Sequence, residues 1–141
     1  MRLSQITPIL LITTLAGCSW FGNKSTAPLI ADARSPVSDV PVPAGFSMKE
    51  NSSSQVVPGD LRRTVDHHYK GNDDILPVVS FYKDELPKHG WTWVDQTQLT
   101  GKEIVLHFNK KNEDCLVNVR KATFNTEIRL RLGPAGKVGN P

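Results

Sequence analysis

Ile75-Leu76-Pro77-Val78-Val79-Ser80-Phe81-Tyr82-Lys83-Asp84-Glu85-Leu86-Pro87-Lys88-His89-Gly90-Trp91 is the stretch that decides the fold. Ile75, Val78, Val79, Tyr82 and Leu86 recur at steps of three and four, with Phe81 on the flank. That spacing makes one apolar stripe along a helix and leaves Lys83, Asp84 and Lys88 on the wet side. Asp73 and Asp74 offer capping oxygens and negative charge where a helix begins. Pro77 falls near the first turn, where a missing N–H does least harm, and Pro87 disturbs the last. Gly90 can take the left-handed conformation that closes a helix. A single one-faced helix needs a sheet to bury its stripe against.

Outward from the helix, the period changes to two. Upstream, Phe46 to Gln55 is polar and β-leaning, Val57-Pro58-Gly59-Asp60 supplies a turn, and Leu61, Val65 and Tyr69 alternate along a second strand. Downstream, Trp91 to Gln96 alternates and Thr100-Gly101 turns. Lys102 to Lys110 then puts Ile104, Leu106 and Phe108 on one face; the next strand aligns Cys115, Val117 and Val119, and the last aligns Ile128, Leu130 and Leu132. The expectation is an α+β domain, an antiparallel sheet of about five to six strands with one helix packed on one face, in ββαββ(ββ) order. The other sheet face falls to charged and hydroxyl residues such as Arg62, Thr64, Arg129 and Arg131.

The N-terminal stretch carries the compartment. Met1-Arg2 is followed by the apolar run Leu3 to Leu15 and then Ala16-Gly17-Cys18, the three parts of an export signal. The run is too short for a membrane span, which takes about 20 apolar residues. Leu15-Ala16-Gly17-Cys18 resembles the lipobox of bacterial lipoproteins. The resemblance implies a diacylglycerol on the Cys18 sulfur, cleavage between Gly17 and Cys18, and attachment to a membrane outside the cytoplasm through that lipid. Ser19, a non-acidic residue after the lipid-bearing cysteine, implies the periplasmic face of the outer membrane, with the plasma membrane as the alternative. Residues 1–17 are thus read as signal peptide, 18–45 as lipid anchor and flexible tether, 46–132 as the α+β domain and 133–141 as a disordered tail.

The formal net charge of the 141 residues is +3. From Lys102 onward eight basic residues face four acidic ones, but they are scattered, which reads as a solvated sheet face. Nucleic acid is not an expected partner outside the cytoplasm. With Cys18 lipid-bound, Cys115 has no intramolecular partner and is expected to be buried beside Val117 and Val119.

Phe81-Tyr82-Lys83-Asp84-Glu85-Leu86-Pro87-Lys88-His89-Gly90-Trp91 also resembles an FYxxx(L/M)PxxGW element of small bacterial envelope lipoproteins. In them Pro-x-Pro-x-Gly-Phe, here Pro41-Val42-Pro43-Ala44-Gly45-Phe46, often precedes the first strand. The resemblance implies a fold and no activity.

Candidate chemistry is sparse. His67 and His68 are adjacent in a strand and point to opposite faces, so they cannot share one metal. A site from His67, His107 and Cys115 is conceivable across strands but lacks ligand spacing. Asp73 and Asp74 are explained as helix caps, and no phosphate-cradling glycine loop occurs. No catalytic residue, metal or cofactor beyond the covalent lipid is expected. The reading is a non-enzymatic binding or scaffold domain that contacts an envelope protein through a sheet face or edge strand, with Arg62, Arg129 and Arg131 as the candidate binding surface. The alternative is a module for envelope polysaccharide or lipid, which would show Trp91, Trp93 and basic residues lining one groove.

Overall fold

The structure, a computed structural model, describes residues 27–49, 54–55 and 63–138. The signal segment, Gly17, Cys18, the expected turn at 57–60, Leu61, Arg62 and residues 139–141 lie outside them. In chain order the elements are β1 (Ser47–Met48), β2 (Ser54–Gln55), β3 (Thr64–Gly71), α1 (Ile75–Lys88), β4 (Thr92–Thr100), β5 (Glu103–Lys110), β6 (Glu113–Lys121) and β7 (Thr126–Pro134). They form one antiparallel sheet in the spatial order β1-β3-β7-β6-β5-β4, with β2 also on β3. The α+β class stands, but the order is βββαββββ and not ββαββ(ββ). The first expected strand divides because Ser47 pairs with Lys70 while Ser54 pairs with Val65. An advance of seven residues on one side meets five on the other, so a single ladder cannot run through.

Within α1, Val78, Val79, Phe81, Tyr82 and Leu86 are buried, as the stripe predicts. The helix stops in a Schellman arrangement: Gly90 adopts φ +83°, its N–H donates to the Pro87 carbonyl at 3.0 Å, and the Trp91 N–H donates to Leu86 at 3.2 Å. The start differs from expectation. Asp74 occupies the N-cap position without a capping bond, because its carboxylate takes the Lys121 ammonium at 2.8 Å. Asp73 contributes its carbonyl, which accepts from the Thr126 hydroxyl.

Register assigns the two sheet faces. Cys115, Val117 and Val119 sit opposite Leu132, Leu130 and Ile128, and these opposite Val65, His67 and Tyr69. With Ile104, Leu106 and Phe108 of β5 they form the face against which the helix packs. Fully burying each such aliphatic or aromatic side chain contributes about 1.5–3 kcal/mol.

The second half of the expected tether belongs to this core. Val40 and Val42 are buried in the same cluster, beside Phe46, with which the expected domain begins. The segment doubles back on itself: Asp32 N–H donates to Val42 and Ala44 N–H to Ile30, both at 2.8 Å, and Ala31 bridges Pro43. Pro43 to Phe46 closes a turn, with Gly45 at φ +88° and the Phe46 N–H donating to Pro43 at 3.2 Å. The Pro- and Gly-rich composition that suggests a tether instead shapes a strap from residue 30 to 46. At the other terminus β7 runs to Pro134, beyond the expected boundary, and residues 135–138 turn back over the open face. There the Ala135 N–H donates to the Asn112 carbonyl and the Gly136 N–H to the Asp114 carboxylate, both at 2.8 Å.

Candidate functional site

Three places hold unusual chemistry: the open sheet face, the interior beneath the helix, and the edge strand β4.

On the open face, a recess of about 210 Å³ is lined in part by Lys49, His68, Glu103, Asn118, Arg120 and Arg129. Its charges are matched internally. Glu127 receives both Lys49 and Arg120, and their hydrogen bonds hold its carboxyl below the ordinary value. Arg129 grips Asp66 with two bonds, at 3.0 and 2.7 Å, which depresses the aspartate and raises the arginine. Arg131 lies on the same strand face, but burial lowers its pKa, and its Nε makes no hydrogen bond among the described residues. Of the candidate surface Arg62, Arg129 and Arg131, Arg129 is thus matched by Asp66, Arg131 is partly buried beside it, and Arg62 lies outside the described residues.

A second recess of about 340 Å³ is lined by Asp95, Thr97, Val105, His107, Asp114, Leu116, Gly136 and Val138. Val105 and Leu116 are buried although they point away from the helix, which sequence alternation does not anticipate. His107 lies between two carboxylates, with Nε2 3.2 Å from Asp114 and Nδ1 3.9 Å from Asp95. Burial pushes the Asp114 carboxyl up, but bonds from Asn109, the Gly136 N–H and His107 outweigh it and leave it depressed. Each carboxylate faces a different ring nitrogen, so the three cannot chelate one ion with a single imidazole atom. Asp95 pairs directly with His107, and Asp114, opposite Asn109, is the diagonal neighbour of His107; reading the triplet from sequence needs the β4 irregularity and both registers to be known.

Beneath the helix, His67 Nδ1 lies 2.9 Å from the Tyr69 hydroxyl, while His67 Nε2 and the Tyr82 hydroxyl make no hydrogen bond among the described residues. Burial lowers the His67 pKa, pushes Tyr69 up to about 12, and raises Tyr82 and Cys115 further. Cys115 is fully buried, as its strand neighbours imply. The conceivable site from His67, His107 and Cys115 does not assemble: His107 is on the open face and the other two are on the helix face. Among the described residues no group of three or more His, Cys, Asp or Glu side chains is arranged to hold a metal ion.

β4 is exposed along its whole length at the sheet edge. Register shifts between Trp93 and Asp95 and between Gln98 and Thr100 bracket a regular stretch from Asp95 to Gln98. The two tryptophans near the helix end have different fates. Trp91 is buried and donates from Nε1 to the Asp39 carbonyl at 2.8 Å. Trp93 is part exposed, stacks edge-on to Phe108, and carries the Lys83 ammonium 4.7 Å from its ring. They do not line one groove.

Comparison with curated proteins and with solved structures returns no match. Residues 47–127, from β1 into β7 and so spanning the whole helix-on-sheet unit, match the START domain-like family. That match covers more than half of the sequence, and the chain belongs to the START domain-like family.

Proposed function

We propose that the chain is a lipid-anchored, non-enzymatic binding domain that takes an envelope protein along β4. The observation that carries this reading is the strand itself: nine residues at the sheet edge, all exposed, with Trp93, Val94 and Leu99 among the large apolar side chains left in water. An edge strand presents unmatched N–H and C=O groups, and a partner strand added there draws affinity from backbone bonds and specificity from alternate side chains. The two register shifts restrict regular pairing to a short stretch, which disfavours indiscriminate edge-to-edge association.

Anchoring rests on Leu15-Ala16-Gly17-Cys18, and Ser19 supports the periplasmic face of the outer membrane over the plasma membrane. No helix among the described residues is long and apolar enough to cross a membrane. Cys18→Ala should release the protein from membranes; retention with unchanged processing would sink the anchor. For the partner, a photo-crosslinking residue at Val94, Gln96 or Gln98 in intact envelopes should give an adduct of one recurring mass. Adducts no more abundant than from Lys70, on β3 toward the opposite edge of the sheet, would refute the β4 reading.

A second reading, a module for an envelope lipid or polysaccharide, is favoured by the unsatisfied His67 Nε2 and Tyr82 hydroxyl between helix and sheet. Each such buried group costs about 1–3 kcal/mol, which a polar ligand atom would offset. Native mass spectrometry of protein extracted from membranes should then show a bound mass that His67→Phe removes; protein of bare mass throughout would exclude it.

A further inference from the structure

One end of the sheet gathers more than its share of exposed apolar side chains. Gly71 and Lys121 both pair with Thr126, so β3, β6 and β7 meet their loops there. The hairpin from β4 to β5 turns at the same end, since Thr100 pairs with Glu103 and Glu103 with Arg120, and the Lys121 N–H donates to Lys102 at 2.8 Å. The helix starts there, through the Lys121 bond to Asp74. The strap arrives there too. A Cβ added at Gly71 would meet the Phe46 ring at 2.7 Å, and Phe46 closes the turn whose neighbours Pro43 and Ala44 hold Ala31 and Ile30.

Ile30, Leu76, Leu99 and Phe124 consequently share this end, at 72%, 71%, 44% and 90% exposure. They are four of the six large hydrophobics exposed among the described residues, and Phe124 projects from the tip of the loop between β6 and β7. Lys70, Lys102 and Lys121 lie around them. Carboxylates are present as well: Asp74 is matched by Lys121, Glu127 by Lys49 and Arg120, and Glu103 accepts from Asn118, with Asp73 beside them. Net charge is therefore small at this end, and the apolar side chains dominate its chemistry.

We propose that this end seats in the headgroup and upper acyl region of the bilayer to which the chain is anchored, with Phe124 and Leu76 inserted and Ile30 and Leu99 at the margin. The proposal rests on the lipid-anchor reading of Cys18. Eight residues lie between Cys18 and Ala27, the first residue described, and the nine steps from one to the other cannot span more than about 32 Å. Ala27 leads directly into Ile30, so the chain leaves the domain at the very end that carries the exposed apolar side chains. Lysines whose stems lie along apolar surface and whose heads reach phosphates complete such an interface. Because cations and carboxylates nearly balance here, insertion should depend little on anionic lipid.

The test uses the full lipid-modified chain in vesicles, with a nitroxide on Thr123→Cys, which leaves Phe124 in place, and separately on Asn112→Cys at the opposite end. The lipid occupies Cys18 and burial protects Cys115, so the label goes to the new thiol. Flotation with vesicles reads the anchor; the accessibility of the label to oxygen against a water-soluble nickel chelate reads the depth. The expected result is an oxygen-to-chelate ratio several-fold higher at 123 than at 112, in neutral vesicles and in vesicles with added anionic lipid alike. A chain that floats while its 123 label meets the chelate as freely as the 112 label overturns the proposal alone. A chain that does not float removes the anchor reading and this proposal with it. A 123 label shielded from both reagents in native membranes, but not in vesicles, indicates a protein cover and also overturns it.

Discussion

Asp39→Asn probes the ion cluster that ties the strap to the sheet. Arg63 reaches both Asp39 oxygens at 2.6 and 2.7 Å and donates to Glu113 from Nε and from the Nη2 it shares with Asp39, while Lys110 meets Asp39 at 2.6 Å. Burial pushes the Asp39 carboxyl up, but hydrogen bonds and charge from Arg63 and Lys110 outweigh it and hold it at about 2, against 3.8 for a free aspartate. A carboxyl depressed on folding contributes stability that is complete above its unfolded value and is lost as pH falls through its folded one. The shift corresponds to about 2.4 kcal/mol at 1.36 kcal/mol per unit. The side chain is 19% exposed, and solvent screening reduces the expectation to about 1–2 kcal/mol. Urea unfolding of the two proteins should therefore differ by that amount near about pH 7, still differ near about pH 5, and converge near about pH 2. A gap that persists unchanged at the acid end would mean that shape and not charge is responsible. Equal stabilities at neutral pH would mean that the cluster contributes nothing. Either result refutes the reasoning.

Gly71→Ala should destabilise the domain by about 1–3 kcal/mol in thermal melts, since the new methyl meets the Phe46 ring. Phe46→Ala in the same chain should absorb most of that penalty, and simple additivity would argue against the contact. His67 is buried with its pKa lowered by desolvation. Below about pH 6.5 the unfolded chain binds a proton that the folded one refuses, so stability should fall there by up to about 1.4 kcal/mol per pH unit until the folded value is reached. His67→Gln should flatten that limb, and an unchanged slope would clear His67. Cys115 is fully buried and burial pushes its thiol up. Iodoacetamide should modify it only in denaturant, and rapid labelling of the native chain would place it wrongly.

What could be read from the sequence was local. The helix stripe, its Gly90 stop and the alternation around Cys115 and Leu130 depend on neighbours a few residues apart, and each is found where the spacing puts it. The ion cluster was not legible, because Asp39 is 24 residues from Arg63 and 71 from Lys110. The strap is not legible because Val40 and Val42 lie among prolines, and only tertiary contact distinguishes such a run from a tether. Val105 and Leu116 break the rule that the open face is polar, since the chain beyond Pro134 returns beside them, and nothing near either residue announces that. The arginines of the candidate surface illustrate the same limit: Arg129 is compensated by Asp66, 63 residues away.

The doubled strap has a mechanical consequence. Tension applied on the N-terminal side of Ala27 would peel the strap from that side and load its bonds one after another. The Ile30–Ala44 bond is loaded before the Asp32–Val42 bond, and that one before the bond from the Val42 N–H to the Ser35 hydroxyl. Peeling one bond at a time offers little resistance until it reaches Asp39, where two guanidinium bonds, a lysine and the Trp91 indole must give way together. The strap is thus built as a shock absorber with a hard stop, and a pull on the chain from its N-terminal side would be spent there before it reaches the sheet.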